Sequence, residues 1–294
     1  MFKRNLLFVL LGVIVFLMTA CGNGEEENTE ETSESAETEE NSTEEAVDEE
    51  DTELVVASQT IPMTDVVELA AEAIEEPYTV EMVEVADNIQ YNEALLNEEV
   101  DANFAQHEPF MEMFNAERDG NLVAIQPIYN AIVGFYSPVY DSIEDIEDGA
   151  EVAIPSDATN EARALMILEQ HGLITLADDV TYDATVDDIE ENPHDFTFTH
   201  VDLLNLTSSY EDGIELVFNY PTYIDSIGLT SDDAVFLEED EDNTFAITLV
   251  AREDNQDSEA IQALQEAFTS DEVYEFLSEL EEKGHLEPAF EQGE

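Results

Sequence analysis

From Leu54 onward, the apolar residues follow two spacings that alternate along the chain. Runs of consecutive or alternating apolar residues predict β-strands, and apolar residues that recur every three or four positions predict helices. The predicted strands are 54–58, 78–85, 100–103, 122–128, 132–136, 152–154, 196–200, 214–219, 234–237 and 244–251. The predicted helices are 63–73, 89–96, 108–121, 142–148, one that begins near Asn160, 203–210, 258–269 and 271–283. Strands that alternate with helices predict an α/β architecture.

Two breaks interrupt this alternation. One, near residues 127–140, is rich in proline and tyrosine, and the other, near residues 238–243, is acidic. Breaks of this kind mark the segments that join compact units. We therefore predict two lobes joined by two crossings. Lobe 1 would consist of residues 54–135 and 239–294, and lobe 2 of residues 136–238.

The first 21 residues predict an exported protein. A basic start, an apolar run and small residues before Cys21 form the layout of a secretory signal peptide. The segment Leu17–Cys21 resembles a bacterial lipobox, although Met18 is less usual than leucine at its position. The alternative is an uncleaved membrane anchor, but the apolar run is shorter than the ~20 residues that a spanning helix needs. We expect residues 1–20 to be removed and Cys21 to be lipidated, which anchors the protein on the extracellular face of a cell membrane of the Gram-positive type.

The next segment, residues 21–53, is predicted to be a tether. It consists largely of glutamate, serine, threonine and asparagine and shows no apolar periodicity, so it cannot bury enough surface to fold. At about 3.3 Å per residue, it would reach roughly 100 Å from the membrane. The alternative is an acidic interaction tail or a cation buffer.

The charge of the chain excludes one class of function. With 75 acidic residues and six lysines and arginines, the formal net charge is −69. Nucleic-acid binding requires clustered basic residues for phosphate contacts, so we exclude it. So many like charges repel one another near neutral pH, and salt screens that repulsion. We therefore expect a protein adapted to high ionic strength. Cys21 is the single cysteine, so no intramolecular disulfide can form.

The scarcity of cations draws attention to Arg163. It is one of only four basic residues after the signal segment and lies in the first turn of a predicted helix. A guanidinium beside the unpaired N–H groups and the positive dipole end of a helix forms a site for a small carboxylate. The alternative is that Arg163 pairs with one of the protein's many carboxylates.

Two motifs in this order resemble a known family. Residues 101–109 follow the pattern D-A-N-x-x-Q-H-x-P, residues 159–165 follow T-N-x-x-R-A-L, and residues 286–290 read LEPAF. With the lipobox, these motifs resemble the methionine-binding lipoproteins of bacterial ABC importers, the NlpA lipoprotein family. The resemblance covers about residues 54–290. It implies a two-lobed, periplasmic-binding-protein-like fold of type II, without a cofactor, that closes on an amino acid and delivers it to a permease and its ATPase subunits.

The resemblance also implies site residues. Arg163 would pair with the carboxylate of the ligand, and Asn160 would hold its polar end. The aromatic and polar lining would come from Phe104, His107 and Phe110. For His107 and Phe110 the alternative is an ordinary place in the core.

Some positions depart from the family pattern. The segment VFNYPTY (217–223) carries one extra residue, so the second ligand-binding asparagine is Asn219, with Tyr220 as the rival under a shifted alignment. Family members often carry a tyrosine where Asn88 stands and an aromatic residue where Ala105 stands. Both positions belong to the pocket for the side chain of the ligand. Tyr91 or Tyr220 would compensate for the missing aromatic rings.

Other functions are weighed against this one. The five histidines show no metal-ligand spacing, the chain has no G-x-G-x-x-G segment, and its carboxylates are too numerous for any pair to indicate an enzyme. Within the binding class, the alternative ligand is another small amino acid or a methionine-containing dipeptide. From another class, the alternative is a surface adhesin that keeps the fold.

The charge leads to a prediction about stability. Because salt shortens the range of repulsion to about 3 Å at 1 M, we expect a higher melting temperature in molar salt than in dilute buffer. Thermal melts followed by circular dichroism across a salt series test this. Greater stability at low salt would contradict it.

Overall fold

The computed structural model of the protein describes residues 52–178, 180–239 and 243–293. The predicted signal segment, Cys21 and nearly all of the predicted tether lie outside these residues.

The strands are β1 (Glu53–Ser58), β2 (Thr79–Glu84), β3 (Ala102–His107), β4 (Leu122–Ala131), β5 (Gly134–Tyr136), β6 (Glu151–Pro155), β7 (Thr175–Leu176), β8 (Ile189–Glu191), β9 (Thr197–Val201), β10 (Leu216–Asn219), β11 (Phe236–Leu237), β12 (Ala246–Arg252) and β13 (Leu286–Pro288). The α-helices are α1 (Met63–Ala73), α2 (Gln90–Leu96), α3 (Glu108–Arg118), α4 (Ala158–Gln170), α5 (Leu206–Glu211), α6 (Pro221–Ile224), α7 (Glu259–Phe268) and α8 (Asp271–Glu281).

Lobe 1 is built on a six-stranded sheet in the order β13-β4-β12-β3-β1-β2. Strand β1 runs parallel to β2 and β3, whereas β12 runs antiparallel to β3 and β4. All six residues of β3 are buried, as expected for a central strand that is covered on both faces. Helix α1 shows how the helices attach, because its buried residues Met63, Val66, Val67 and Ala70 form one apolar stripe.

Lobe 2 is built on a five-stranded sheet in the order β11-β5-β10-β6-β9. Strand β6 runs parallel to β9 and β10, and β5 runs antiparallel to β10 and β11. The parallel strands are joined through helices, since α4 follows β6 and α5 precedes β10. The small hairpin of β7 and β8 lies outside this sheet.

The chain passes between the two sheets twice within the described residues. The first crossing follows β4 at Ala131, and the second begins after β11 at Glu238. The crossings bond to each other, because the backbone N of Glu238 donates to the carbonyl of Val133 at 2.8 Å. Gly134 permits this approach, since an added Cβ would lie 2.8 Å from the carbonyl oxygen of Phe236. The predicted lobe limits, at residues 135 and 239, fall beside these crossings and stay a prediction.

The structure corrects three predicted elements. Residues 142–148 do not form an α-helix and contain only a 3₁₀ turn at Ile143–Asp145. Ile146 is the one buried residue of this segment, so no buried apolar face stabilises a helix there. Strand β3 covers residues 102–107 rather than 100–103. Helix α4 begins at Ala158, before Asn160, because Asp157 caps it, so Arg163 is the sixth residue of the helix and does not lie in its first turn as predicted.

Four short elements have no counterpart in the predicted pattern. They are β7, β8, β13 and α6, each of two to four residues. Segments of this length contain too few positions to show either a strand or a helix period. Among the described helices, none is both long and apolar enough to cross a membrane.

Candidate functional site between the lobes

Helix α4 carries two of the predicted site residues to the region between the lobes. Asp157 caps the helix, with its Oδ1 accepting a hydrogen bond from the backbone N of Asn160 at 3.1 Å. The same oxygen accepts from Nδ2 of Asn160 at 2.8 Å. Residues three positions apart share a helix face, so Arg163 lies on the same side as Asn160. The cap therefore fixes both the start of the helix and the orientation of the Asn160 amide.

The guanidinium of Arg163 is completely buried. Its Nε donates to Oε1 of Glu238 at 2.8 Å, and its Nη2 donates to Oε2 of the same carboxylate. Nη2 also donates to the carbonyl of Ala131 at 3.1 Å, and Nη1 donates to the hydroxyl of Tyr220 at 3.3 Å. The ring centroid of Phe245 lies 4.3 Å from Cζ, within the range of a cation–π contact. The buried charge is thus held by a bidentate carboxylate, two oxygens and an aromatic ring.

These contacts distinguish two edges of the guanidinium. Nε and Nη2 form the side-on edge, which Glu238 occupies. Nη1 and Nη2 form the end-on edge, which points towards Ala131 and Tyr220, two residues that line a cavity between the lobes. Arg163 therefore pairs with a carboxylate of the protein, as one interpretation of the sequence held. The carboxylate of Glu238 is buried. The end-on edge of the guanidinium faces Ala131 and Tyr220 in the wall of the cavity.

A chain of polar side chains continues from Arg163 towards lobe 1. The hydroxyl of Tyr220, which accepts from Arg163, donates to Oδ1 of Asn160 at 3.0 Å. Nε2 of His107 lies 3.5 Å from the same oxygen. Burial raises the pKa of Tyr220 to about 12, so its hydroxyl keeps its proton and can donate. The network thus joins α4 and the junction of β10 and α6 in lobe 2 to β3 of lobe 1.

His107 is neutral and has a defined tautomer. It caps α3, and its Nδ1 accepts a hydrogen bond from the backbone N of Phe110 at 3.2 Å. The proton must then lie on Nε2, which faces Asn160. Burial, with Arg163 as the second cause, lowers the pKa of His107 to about 3. A protonated His107 would place a second cation beside Arg163, which is unfavourable.

These side chains border an inner cavity of about 50 Å³. Its lining combines aromatic rings, a thioether and amide groups. The lining residues that bear on the site are Met63, Asn88, Ala105, Gln106, His107, Phe110, Tyr129, Ala131, Asn160, Tyr220, Tyr223 and Ile247. An apolar pocket with a few oriented polar groups is typical of small-molecule sites.

A larger outer cavity of about 390 Å³ adjoins the inner one. The two share Asn88, Phe110 and Leu203 as lining residues. The outer cavity lies between α3 of lobe 1 and the β6–α4 turn of lobe 2, and its lining includes several carboxylates. It is therefore a route by which a small ligand could reach the inner cavity.

Comparison with known proteins decides the family. A family model described as NlpA lipoprotein matches residues 54–290. The chain belongs to the NlpA lipoprotein family. The two-lobed α/β fold described above is the fold of the solved members to which it is similar.

Three relatives show how close the similarity is. The D-methionine-binding lipoprotein MetQ of Escherichia coli (strain K12) is 36% identical over 214 residues, covering 71% of this chain and 79% of the relative. A crystal structure of a YaeC-family lipoprotein from Enterococcus faecalis V583 is 46% identical, has a TM-score of 0.74, and covers 81% of this chain and 100% of that one. An ABC-transporter periplasmic substrate-binding protein from Coxiella burnetii is 29% identical, with a TM-score of 0.72, and covers 80% of this chain and 100% of that one. The similarity to known binding proteins therefore extends across the folded part of this family member.

Two residues that the resemblance placed at the ligand lie away from both cavities. Phe104 is completely buried in lobe 1, and its ring packs edge-on against Phe268 at 5.1 Å. Asn219 is also completely buried, and its Oδ1 accepts from the backbone N of Tyr220 at 2.9 Å, while its Nδ2 donates to Thr207. Neither residue lines the inner or the outer cavity, and their assignment to the ligand stays a prediction. Phe104 belongs to the core, and Asn219 holds the backbone of Tyr220.

The other predicted residues come together in space. Asn160, His107, Phe110 and Tyr220 line the inner cavity, and so does Asn88, whose Oδ1 accepts from Gln59 at 2.7 Å. Arg163 lies directly behind the wall that Tyr220 forms. Of the two candidates in the VFNYPTY segment, Asn219 and Tyr220, it is Tyr220 that lines the inner cavity.

Sequence reasoning missed several residues of the site. Glu238 begins an acidic run, and nothing in the sequence separates it from its neighbours. Phe245 lies at the start of the predicted strand 244–251, one residue before β12, and its ring packs edge-on against His107 at 5.1 Å. Tyr223 belongs to the quoted segment VFNYPTY, and Tyr129 belongs to the tyrosine-rich break, so aromatic content was the available signal.

The pKa of His107 predicts a pH dependence of stability. Because folding lowers this pKa from its usual 6.5 to about 3, the unfolded chain binds more protons between these values. His107 therefore favours folding fully above about pH 6.5, and this contribution falls by up to ~1.4 kcal/mol per pH unit towards pH 3. Urea unfolding of wild type and His107→Asn, which keeps a capping residue, should show the difference in unfolding free energy narrowing between pH 7 and pH 4.5. A constant difference would contradict the prediction.

Proposed function

We propose that the protein captures methionine between its two lobes and delivers it to an ABC-transporter permease. The observation that carries the proposal is a buried guanidinium whose end-on edge faces a cavity wall between the lobes. A free amino acid presents a carboxylate that suits such an edge. The name of the Escherichia coli relative supports methionine as the ligand.

The carboxylate of the ligand would contact Arg163 through Nη1. That atom donates to the neutral oxygen of Tyr220 at 3.3 Å, which is long for a hydrogen bond. A charged acceptor makes a shorter and roughly twofold stronger bond, so a carboxylate would replace the phenol oxygen with a gain. Asn160, oriented by Asp157, would hold the same end of the ligand.

The thioether of methionine would lie among the aromatic rings. Phe110, Tyr129, Tyr220 and Tyr223 line the inner cavity. Sulfur–aromatic contacts contribute about 0.3–1.5 kcal/mol each. These rings supply aromatic surface in a pocket where Ala105 offers none.

Ligand entry would require the lobes to move. On the scale of cavity volumes, one water needs roughly 10–15 Å³, so the inner cavity of about 50 Å³ holds only a few waters. An amino acid is larger and would enter through the outer cavity when the lobes part. Closure would then bring His107 of lobe 1 towards Asn160 of lobe 2.

The sequence supports the cellular setting of this function. A signal segment and a lipobox that ends at Cys21 would place the protein on the extracellular face of the membrane. The acidic tether would hold the binding lobes close to the permease and its ATPase subunits. The family resemblance supports this partner, and so does the similarity to the ABC-transporter periplasmic substrate-binding protein from Coxiella burnetii.

A thermal-shift screen of the twenty amino acids in high salt tests the function. A ligand that binds only the folded state raises the melting temperature by mass action. We expect methionine to give the largest shift. A shift with a different amino acid, or only with a methionine-containing dipeptide, would indicate altered specificity. No shift with any of them would favour an adhesin that keeps the fold.

Substitution of Arg163 tests the site. Arg163→Ala removes charge-assisted bonds worth about 3 kcal/mol, so we expect methionine affinity to fall roughly 100-fold or more in isothermal titration. Because this change leaves Glu238 buried without its main partner, the double variant Arg163→Gln/Glu238→Gln should lose binding as well with less effect on folding. The matched control is Arg252→Gln, which removes a buried guanidinium that bonds Leu95 and Val100 in lobe 1. Wild-type affinity in both Arg163 variants would show that the site is wrong.

A further inference from the structure

Two tyrosine hydroxyls at the inner cavity have no hydrogen-bond partner in the part of the chain that the structure describes. They belong to Tyr129 on β4 and Tyr223 on α6, and both residues line the cavity. Tyr129 is only 2% exposed, so it is shielded from bulk solvent. A buried phenol hydroxyl usually makes a hydrogen bond. The two hydroxyls therefore mark a part of the cavity that can bind a polar group of a ligand.

The two tyrosines neighbour the residues that the end-on edge of Arg163 contacts, which are Ala131 and Tyr220. Tyr129 precedes Ala131 by two positions on β4, so the two side chains point to the same face of the sheet. Tyr223 follows Tyr220 by three positions, and their ring centroids are 5.2 Å apart. Burial, then Tyr223 and then Tyr220 raise the pKa of Tyr129, which reflects how close the three phenols lie.

A buried carboxylate adds negative charge beside these phenols. Oδ1 of Asp157 accepts both hydrogen bonds from Asn160, whereas its Oδ2 is buried and has no hydrogen-bond partner among the described residues. Burial, then Tyr220 and then Asp157 raise the pKa of Tyr223, so the carboxylate acts on that hydroxyl. The phenols stay neutral, and a negative charge close to them favours a cation over an anion.

An amino acid presents its two charged groups on one carbon atom. A carboxylate at the end-on edge of Arg163 therefore places the ammonium group directly beside that edge. An ammonium group has three donors and no acceptor, so it needs oxygens. Oδ1 of Asn160 already faces the hydroxyl of Tyr220 and Nε2 of His107. The neighbouring hydroxyl oxygens of Tyr129 and Tyr223 are free to accept from the ligand.

We propose that Tyr129 and Tyr223 form the subsite for the ammonium group of the ligand, with Asp157 as the nearby negative charge. The hydroxyls are assigned to the ammonium, and the ring faces remain available to the thioether. This inference rests on the proposed function, and it adds the residues that recognise the amino end of the ligand.

The test compares methionine with 4-(methylthio)butanoate, which is methionine without its amino group. Tyr129→Phe and Tyr223→Phe each remove one hydroxyl and keep the ring. In isothermal titration we expect each variant to bind methionine roughly tenfold more weakly and the acid about as well as wild type, because only methionine loses a charge-assisted hydrogen bond. An equal loss for both ligands, or no loss for either, would overturn the inference.

Tyr136→Phe is the matched control. The hydroxyl of Tyr136 is buried on β5 of lobe 2 and also has no partner among the described residues, but this residue lines neither cavity. Its loss should leave both affinities unchanged. Since none of the three hydroxyls bonds to the described part of the chain, no variant should melt at a lower temperature without ligand. A loss of methionine affinity in Tyr136→Phe as large as in the cavity variants would count against the subsite.

Asp157→Asn tests the charge separately. It keeps a capping residue for α4 and removes the carboxylate. We expect the preference of wild type for methionine over the acid to shrink in this variant, because only the ammonium group is attracted by the carboxylate. An unchanged preference would show that Asp157 has no such role and would overturn the inference as stated.

A third compound covers the case in which the acid binds too weakly to measure. Methionine amide keeps the ammonium group and lacks the carboxylate charge, so both cavity variants should weaken its binding as much as that of methionine. Unchanged binding of the amide would assign the hydroxyls to the carboxylate and overturn the inference. If wild type binds methionine but these expectations fail, only the inference fails; if wild type binds no amino acid, the proposed function fails with it.

Discussion

A guanidinium that has no contact with solvent must have its charge satisfied within the protein, and Arg163 obtains this from three parts of the chain. Removing an ion from water costs several kcal/mol, and the cost is repaid only by good geometry and additional hydrogen bonds. Glu238 supplies the bidentate partner, Ala131 supplies a carbonyl, and Tyr220 supplies a hydroxyl. The ring of Phe245 covers one side. The surrounding segments are therefore fixed with respect to α4.

This set of contacts places the charge at the junction of the lobes. Ala131 lies where the first crossing begins, and Glu238 lies where the second begins. One side chain of lobe 2 thus contacts both segments about which the lobes would move. A ligand that engages the end-on edge of Arg163 would act on the site and on the crossings together, which fits a protein that binds by closing.

The charge of the whole protein contrasts with that of its site. The formal net charge of the chain is −69, whereas the site contains a buried ion pair between Arg163 and Glu238. A surface of one sign would repel an anionic ligand on approach, more weakly in high salt. A zwitterion has no net charge and does not face that repulsion. The charge of the protein is therefore compatible with an amino acid that carries both charges.

Much of the fold was visible in the spacing of apolar residues. The strand at 54–58 and the helices at 63–73 and 271–281 follow clear periods, and the structure has them at nearly the predicted positions. The 142–148 segment does not form the predicted helix because it buries only Ile146 and therefore has no apolar face that packing could stabilise. The α4 residues Asn160 and Arg163 were found through their motif and their rarity, two properties of the sequence itself.

The sequence by itself determined the α/β class, the surface charge and the helix that carries Arg163, because these depend on local composition and periodicity. Only the tertiary structure decided that Glu238, one acidic residue among 75, forms a buried ion pair with Arg163. It also decided that Tyr220 lines the cavity while Asn219 supports its backbone. Such assignments depend on which segments distant in the chain come to lie within hydrogen-bonding distance of each other, and the spacing of residues along one segment does not contain that information.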